Sequence, residues 1–571
     1  MTIPEEKETQ EPKTLESYLI AECGTTNTTV ALFDLAVGSY RLIAQATAPT
    51  TVGEPWLNIM EGVYLAIQHI EAITGRTLLT SQRKLITPSR TNGSGVDQFT
   101  AVASAAPPLA TSLVGLFDEV SLASGRHVLG STYAQATNNL SLSQEQNEEK
   151  HLAATIAQKP DIILIVGGTD GGAEQRLLHL VETVSIGLGP LAAGKPTQAV
   201  FAGNKNLRER VRDLLKDRAK IHMADNVRPE LDKENLTDAI RMLNELYSDL
   251  KIGALPGVHT LHEWHQQPII PTLQAFAAIA RYFAALNKGR VLGVDLGSNS
   301  VSLLLADANG TQTYMRNDLG MGQPIINLLN EVDTAAIARW LPYQISAEEI
   351  RDFIFYKSLH PQTIPMTEAE SYLEQAIARE IIRCVAPEPL PSFNMLLARG
   401  QTLTHTPRSG QSILLLLDAL QPTGIFSVAL DKYGVLPALG ALASEQPLAV
   451  VQALEAGVLS DLGWVIAPTG KGQAGQSVVK GVVESPQGQF NLDVEHGRID
   501  TTILNSGQVA EVTLQPDKRI DLGFGPGKGK KLTVHGGAVG LIVDGRGRPL
   551  PDFDEDKRVE QVHKWYWDVG G

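Results

Sequence analysis

The chain opens with short apolar runs separated by a polar turn. Residues 18–21 are apolar, residues 22–29 are small or polar, residues 30–33 are apolar again, and a partly apolar run follows at 40–44. Runs of this length, broken by glycine, threonine and asparagine, predict strands joined by tight turns. The fold is therefore expected to begin with a β-meander.

Helical and strand-like patterns then alternate. In residues 56–74, apolar side chains recur every three or four positions, which places them on one face of a helix. Apolar runs at 113–117 and 161–166 predict buried strands, and residues 205–251 and 259–286 carry further helical patterns. This alternation predicts an α/β layered domain.

The opening pattern returns at residues 291–307, again as strand, tight turn and strand. At one constant spacing, the matching positions are Glu22 with Asp295, Gly24 with Gly297, Thr25 with Ser298, and Asp34 with Asp307. A second echo pairs the strand at 162–166, which precedes a glycine loop, with residues 394–398, which precede Arg399 and Gly400. Internal repeats of this kind predict two structurally related halves.

From about residue 460 the sequence changes to short valine- and threonine-rich runs separated by glycine turns, which predicts an all-β module, barrel or sandwich, followed after Pro551 by a charged tail. The expected organisation is a disordered tail at 1–16, a first lobe at 17–255, a helical connector at 256–290, a second lobe at 291–459 and a β-rich module at 460–571.

Composition narrows the classes of function. Lys and Arg total 48 against 63 for Asp and Glu, so the net charge of −15 disfavours a primary role in binding nucleic acid. Two cysteines, Cys23 and Cys384, exclude a disulfide framework and any all-cysteine metal site. There is no apolar run of about 18 residues and no signal-peptide pattern, so we expect a cytoplasmic protein without a membrane span.

The paired turns carry the clearest candidate chemistry. Glycine lets a backbone approach a phosphate, turn N–H groups and hydroxyls can bind its oxygens, and an acid ending the first strand can hold Mg²⁺. Two such turns facing each other would hold the phosphates of one nucleotide. The simpler alternative is a pair of ordinary hairpins produced by duplication. The candidate residues are Glu22, Gly24, Thr25, Thr26, Asp295, Gly297, Ser298 and Asn299.

Three other segments are weaker candidates. The loop at 167–172 follows a strand and precedes a helix, so Gly168, Thr169, Asp170 and Gly171 could meet an anion, or Asp170 could simply cap the helix. Histidines at 259, 262 and 265 could bind a metal, although a solvated helix start explains them better. The lysine- and glycine-rich stretch at 525–531 fits a solvated hairpin tip better than an anion-binding loop.

Several of these segments together resemble a known family. The chain is similar to the glutamate mutase accessory protein MutL family, which belongs to the actin/Hsp70/sugar-kinase ATPase superfamily and is unrelated to the mismatch-repair protein of the same name. The matching segments are Glu22-Cys-Gly-Thr-Thr-Asn-Thr-Thr, Gly167-Gly-Thr-Asp-Gly-Gly, Val294-Asp-Leu-Gly-Ser, Arg316-Asn-Asp-Leu-Gly-Met-Gly, Glu374-Gln-Ala-Ile-Ala-Arg-Glu and Leu417-Asp-Ala-Leu-Gln-Pro-Thr-Gly.

The resemblance implies an α/β fold with two ribonuclease-H-like lobes, plus the C-terminal all-β module, and ATP with Mg²⁺ in the cleft. It assigns Asp295 to catalysis and metal, Glu22 to the metal, and places Gly400 near the nucleotide with the turn and loop residues named above. The chain departs from the family pattern where Glu22 replaces an aspartate, Thr29 a basic residue, and Arg399 one glycine of a pair. These departures bear on hydrolysis more than on fold.

The expected function is that of an ATP-binding accessory or reactivation-type protein. Slow Mg²⁺-dependent ATP hydrolysis is left open, and nucleotide-driven lobe closure would be detected by a partner enzyme. Relatives are associated with adenosylcobalamin-dependent mutases, so such a mutase or another protein is the expected partner. Two alternatives stay open: a non-catalytic scaffold on a degenerate ATPase fold, and a small-molecule kinase of the same superfamily.

Overall fold

A computed structural model describes residues 15–141, 159–189, 197–265, 267–473 and 475–570. The predicted tail at 1–16 therefore lies, except for its last two residues, outside the described residues. In chain order the strands are β1 Ser17–Cys23, β2 Asn27–Ala36, β3 Ser39–Pro49, β4 Gln98–Ala103, β5 Leu109–Gly115, β6 Ala134–Ser141, β7 Ile162–Gly167, β8 Thr197–Gly203, β9 Ala219–Met223, β10 Ile270–Pro271, β11 Val291–Leu296, β12 Val301–Asp307, β13 Gly310–Arg316, β14 Met395–Arg399, β15 Gly424–Leu430, β16 Ser460–Ala467, β17 Thr469–Gly470, β18 Ser477–Ser485, β19 Gly488–Glu495, β20 Ile499–Thr502, β21 Val509–Pro516, β22 Ile520–Asp521, β23 Lys530–His535 and β24 Gly540–Asp544.

The α-helices connect and cover these strands. Their bounds are Ile59–Thr74, Ala123–Leu129, Glu174–Leu188, Arg208–Leu215, Thr237–Tyr247, Val258–His265, Thr272–Asn287, Leu328–Glu331, Thr334–Ala338, Ala347–Leu359, Glu368–Arg383, Gln401–Thr404, Ser409–Leu420, Leu436–Leu442, Pro447–Ala453 and Glu555–Asp568. The first shows why its bounds fall there: the Asn58 side chain accepts from the Met60 N–H at its start, and Gly75 ends it in the left-handed region at φ 71°.

The opening meander forms one edge of the first-lobe sheet, whose order is β10-β4-β1-β2-β3. Strands β1, β2 and β3 pair antiparallel, whereas β4 and β10 run parallel to β1. Every residue of β1 is buried, as expected for a central strand covered on both faces. The helix Ile59–Thr74 packs on β2 and β3.

The second-lobe sheet has the order β13-β12-β11-β14-β15-β16-β24-β20, and its first five strands repeat the arrangement of the first lobe. The two ribonuclease-H-like lobes implied by the resemblance are thus present. The expected second echo is wrong, because β14 pairs with β11 as β4 pairs with β1, whereas β7 belongs to another sheet. In this register Asp295 lies opposite Arg399, and Glu22 lies opposite Val102.

Strands β5 to β9 form a separate parallel sheet with the order β6-β5-β7-β8-β9. Its strands are covered by helices that include Glu174–Leu188 and Arg208–Leu215, whose apolar side chains form their own core. The first half of the chain therefore holds two sheets rather than one, and the glycine loop at 167–172 belongs to the second of them.

The C-terminal region is β-rich, and part of it extends the second lobe. Strands β16, β24 and β20 continue the second-lobe sheet, while β18, β19, β21 and β23 form a four-stranded antiparallel sheet. The expected charged tail is wrong: Glu555–Asp568 is a helix, with Trp565 and Tyr566 buried in the second-lobe core. These two aromatic side chains dock the helix on the second lobe.

A fully buried network of charges joins this region to the second lobe. Asp418 accepts from Arg379 at 2.8 Å and from Arg546 at 2.6 Å, and Arg546 also donates to Asp544 at 2.9 Å. All four side chains are at most 3% exposed. Burial at this level is tolerated because every charge has an opposite partner.

Across the described ranges, every helix is too short or too polar to cross a lipid bilayer.

Candidate functional site between the two lobes

The two repeated turns have the same backbone geometry. The Gly24 N–H donates to the Asn27 carbonyl at 3.0 Å, and the Gly297 N–H donates to the Ser300 carbonyl at 2.9 Å. A Cβ on Gly24 would lie 2.9 Å from the Asn27 oxygen, and one on Gly297 would lie 3.0 Å from the Ser300 oxygen. Both turns therefore require glycine for close packing, and the repeat extends to the hydrogen bond that closes each turn.

The turns meet across the interface of the lobes. The Thr26 hydroxyl donates to the Ser298 hydroxyl at 2.5 Å, and the Asn27 side-chain amide donates to the Gln401 side-chain oxygen at 3.1 Å. These bonds join positions that are 272 and 374 residues apart. The two turns therefore converge, as the hypothesis of a shared ligand requires.

A cavity of about 630 Å³ lies where the turns converge, and both lobes line it. This volume is within the range of small-molecule and cofactor sites. The candidate residues that line it are Glu22, Gly24, Thr25, Thr26, Asp295, Gly297, Ser298, Asn299 and Gly400. The structure thus brings nine of the candidate residues to a single cavity.

A second glycine segment supports the turn of the second lobe. The Met321 N–H donates to the Gly297 carbonyl at 3.0 Å, and the Gly322 N–H donates to the Ser298 carbonyl at 2.7 Å. A Cβ on Gly320 would lie 2.3 Å from the Ser298 carbonyl oxygen, and a Cβ on Gly322 would lie 2.0 Å from the Ser298 hydroxyl oxygen. The segment at 316–322 is part of the family resemblance, and its two nearby glycines were the only sequence signal for this supporting role.

Arg399 occupies the space between the acids of the two lobes. Its Nη2 donates to both Glu22 carboxylate oxygens at 2.5 and 2.6 Å, and its Nη1 donates to Asp295 Oδ2 at 2.7 Å. Its Nε lies 3.5 Å from Asp431 Oδ2. Because Asp295 and Arg399 lie opposite each other on neighbouring strands, the fold itself directs the guanidinium to this position.

Burial controls the titration of this group. Desolvation, with repulsion from Asp295 and Asp431, raises the pKa of Glu22 to about 7 against the lowering effect of Arg399. The surrounding carboxylates raise the pKa of Arg399 well above its usual value, so the guanidinium stays charged. Burial also raises the pKa of Asp431, whose oxygens accept from the N–H groups of Val435 and Leu436.

This arrangement does not fit a directly bound Mg²⁺. Both carboxylates that the sequence assigns to the metal, Glu22 and Asp295, bond Arg399 instead. Within the described ranges, His, Cys, Asp and Glu side chains form no group of three or more that could hold a metal ion. The metal and catalytic roles expected for these two acids are therefore opposed by the charge that lies between them.

The glycine loop at 167–172 lies outside the lining of this cavity, and so do Gly168, Thr169, Asp170 and Gly171. Asp170 Oδ1 accepts from the Asn226 side chain at 2.9 Å and from the Lys205 N–H at 3.2 Å. The loop sits at the carboxyl end of β7, where the Asn204 side chain, just after β8, donates to the Gly172 carbonyl at 2.7 Å and accepts from the Gly171 N–H at 3.1 Å. The geometry separates these four candidates from the others.

The remaining sequence candidates also lie away from the cavity lining. His265 is 7% exposed, and burial lowers its pKa to about 4, so it is a neutral core residue at the end of a helix. The stretch at 525–531 forms a turn in which Asp521 accepts from the Gly525 N–H at 2.9 Å. Neither feature forms a ligand site with its described neighbours.

Sequence analysis missed a polar wall of the cavity in the second lobe. Lys357 is 5% exposed, and its ammonium donates to Glu374 at 2.9 Å and to the Thr363 carbonyl at 2.6 Å. Thr402 donates to the other Glu374 oxygen at 2.9 Å. All four residues line the cavity, and Glu374 begins one of the segments that carry the family resemblance.

The strand orders of the two lobes, with a cavity between them, are those of the actin/Hsp70/sugar-kinase fold. The model of the family described as MutL protein matches residues 18–458, so the chain belongs to the MutL family. A curated relative, Protein MutL from Clostridium tetanomorphum, is 23% identical over 388 residues, which cover 64% of this chain and 77% of the relative.

Solved structures give weaker similarities. A nucleotide-free acetone carboxylase aligns with 10% identity and a TM-score of 0.34, covering 85% of this chain and 81% of that one. Component A of (R)-2-hydroxyglutaryl-CoA dehydratase from Acidaminococcus fermentans aligns with 9% identity and a TM-score of 0.25, covering 76% of this chain and 99% of that one. At these values, neither similarity bears on activity.

Proposed function

We propose that this chain is an ATP-binding accessory protein of the MutL family, whose response to nucleotide is detected by a partner enzyme. One observation carries the proposal: two glycine turns, one from each lobe, converge on the same cavity and bond each other through Thr26 and Ser298. A ligand held by both turns would contact both lobes at once.

The turns offer groups suited to phosphate oxygens. Backbone N–H groups at tight turns form anion-binding concavities, and the hydroxyls of Thr25, Thr26 and Ser298 line the cavity. The polar wall around Lys357 and Glu374 extends the cavity beyond the turns, which leaves room for the rest of a nucleotide.

Nucleotide would act on the lobes through differential contact. A ligand that touches both turns binds the closed arrangement of the lobes more tightly than an open one. The difference between these two binding free energies is the largest free energy that the ligand can contribute to closure. The helices Thr272–Asn287 and Leu436–Leu442 pack on each other and on strands of both lobes, so they lie where relative movement would be transmitted. The partner that the family resemblance implies is an adenosylcobalamin-dependent mutase.

A non-catalytic scaffold is the second candidate, and the Arg399 bridge favours it. The guanidinium bonds both acids that would otherwise handle metal or water. The kinase alternative has less support, because Asp295, the acid assigned to catalysis, already bonds Arg399.

Nucleotide binding is tested by calorimetric titration and thermal shift of the full chain with ATP, ADP and AMP. At a ligand concentration of 100 times Kd, binding to the folded state stabilises it by about 2.7 kcal/mol. We expect Thr26→Val and Ser298→Ala each to weaken ATP binding, and the matched control Thr183→Val, on an exposed helix face, to leave it unchanged. No binding at millimolar ATP would contradict the proposal and leave the scaffold.

The partner is tested with a purified adenosylcobalamin-dependent mutase that has lost activity during turnover. We expect this chain to restore activity with ATP and to fail without it. Restoration that is equal with and without ATP would contradict a nucleotide-driven role.

A further inference from the structure

Glu22 of the first lobe and Asp295 of the second lobe both face the cavity, with a small space between their carboxylates. In this chain it holds the guanidinium of Arg399, which bonds both carboxylates and is 10% exposed. We propose that Arg399 is a built-in cation that replaces a divalent metal here, so that the cavity binds its phosphate-bearing ligand without Mg²⁺. The inference rests on the proposed function and specifies its metal requirement.

The bonding of Arg399 leaves little opportunity for a metal. Its Nη2 donates to both Glu22 oxygens, at 2.5 and 2.6 Å, and its Nη1 donates to Asp295 at 2.7 Å, so each terminal nitrogen is committed to a carboxylate by charge-assisted hydrogen bonds. A divalent ion at this position would have to displace the guanidinium from both acids. Mg²⁺ also demands near-ideal octahedral coordination and gives up its water reluctantly, so it competes poorly for carboxylates that are already paired.

The guanidinium is the cation shared by the two acids that face the cavity. Asp431 directs its oxygens to the N–H groups of Val435 and Leu436, where a helix begins, so its charge is met by that helix end. One guanidinium then faces Glu22 and Asp295.

Only one of the two lobes can supply this cation. The matched register places Val102 opposite Glu22 in the first lobe and Arg399 opposite Asp295 in the second. A valine side chain is apolar and uncharged, so Val102 supplies no cation to Glu22. Of the two matched positions, Val102 and Arg399, only Arg399 can therefore take the place of a metal. It bonds an acid of each lobe, because Asp295 belongs to the second lobe and Glu22 to the first.

The first test measures the affinity of the wild-type chain for ATP by calorimetry, in Mg²⁺ and in excess EDTA. We expect the two Kd values to agree within about threefold, since a residue that replaces the metal makes its removal irrelevant. Binding in Mg²⁺ that is lost in EDTA would overturn the inference while upholding the proposed function. Absence of binding in both buffers would count against the proposed function and would leave the second test to decide the inference.

The second test needs no nucleotide and uses Mn²⁺, whose free fraction is read by electron paramagnetic resonance. We expect the wild type to show no tight Mn²⁺ site, and Arg399→Ala to gain one per chain, tighter by about tenfold or more. The matched control is Arg316→Ala, because Arg316 also bridges two acids, Asp318 and Glu331, but lies outside the cavity lining. We expect no gain in the control.

Arg399→Lys protects the test against a folding failure. Removing the guanidinium leaves buried acids without a partner, so the alanine variant can unfold, whereas lysine keeps a cation in place. We expect Arg399→Lys to fold and to exclude Mn²⁺ as the wild type does. A tight Mn²⁺ site in the wild type that is abolished by Asp295→Asn would overturn the inference.

Discussion

Replacing Glu22 by glutamine tests the balance between burial and ion pairing at the interface of the lobes. Glu22 is 8% exposed, and burial raises its pKa to about 7 from an ordinary 4.5. At about 1.4 kcal/mol per pKa unit, that difference corresponds to roughly 3 kcal/mol. Because the folded state holds the proton more tightly, the contribution is fully present below about pH 4.5 and is lost as pH rises through 7.

The assay is chemical denaturation of the wild type and Glu22→Gln at several pH values between 4.5 and 8. We expect the free energy of unfolding of the wild type, relative to that of the variant, to fall by roughly 3 kcal/mol across this interval. Because both proteins share all other titrating groups, the difference between their free energies of unfolding reports on Glu22 alone. A relative stability that instead rises with pH would show that the Arg399 pairing outweighs burial, which would refute the reasoning.

Three further predictions concern stability. Asp418→Asn removes the carboxylate between two fully buried guanidinium groups, so the free energy of unfolding, measured in denaturant, should fall by about 3–5 kcal/mol. The control Asp213→Asn lies in an exposed ion pair and should change the free energy of unfolding by under about 1 kcal/mol. Gly322→Ala places a Cβ 2.0 Å from a serine hydroxyl oxygen and should destabilise the chain by about 1–3 kcal/mol, whereas Gly53→Ala, with open space around it, should not. For His265, whose pKa burial lowers to about 4, stability should decline as pH falls from 6.5 towards 4; a decline that persists in His265→Leu would contradict the assignment.

Local patterns of the sequence were enough to predict the repeated hairpins. The glycine, hydroxyl and acid positions of the two turns recur at one spacing, and turn chemistry depends on neighbouring residues. The pairing of β4 and β14 with the central strands was missed, because parallel partners are separated by long stretches of chain. Residues 394–398 were matched with β7 because both runs are apolar and lead into a glycine turn.

The bridge by Arg399 could not be predicted from the chain alone. Arg399 and Glu22 are 377 positions apart, and their contact requires both lobes to be folded and in contact with each other. The C-terminal helix, by contrast, was available from the sequence. Val562, Trp565, Tyr566 and Val569 recur at helical spacing, and all four are buried, but the surrounding charges favoured the interpretation of a tail.

The central claim is that the two turns hold one ligand between the lobes. Hydrogen–deuterium exchange with and without ATP tests it most directly, because it follows the amides of residues 24–27 and 297–300 in the same sample. We predict that ATP slows exchange in both turns together, and that the glycine loop at 167–172, outside the cavity lining, is unaffected. Protection of one turn alone, or of the loop instead of the turns, would contradict the account.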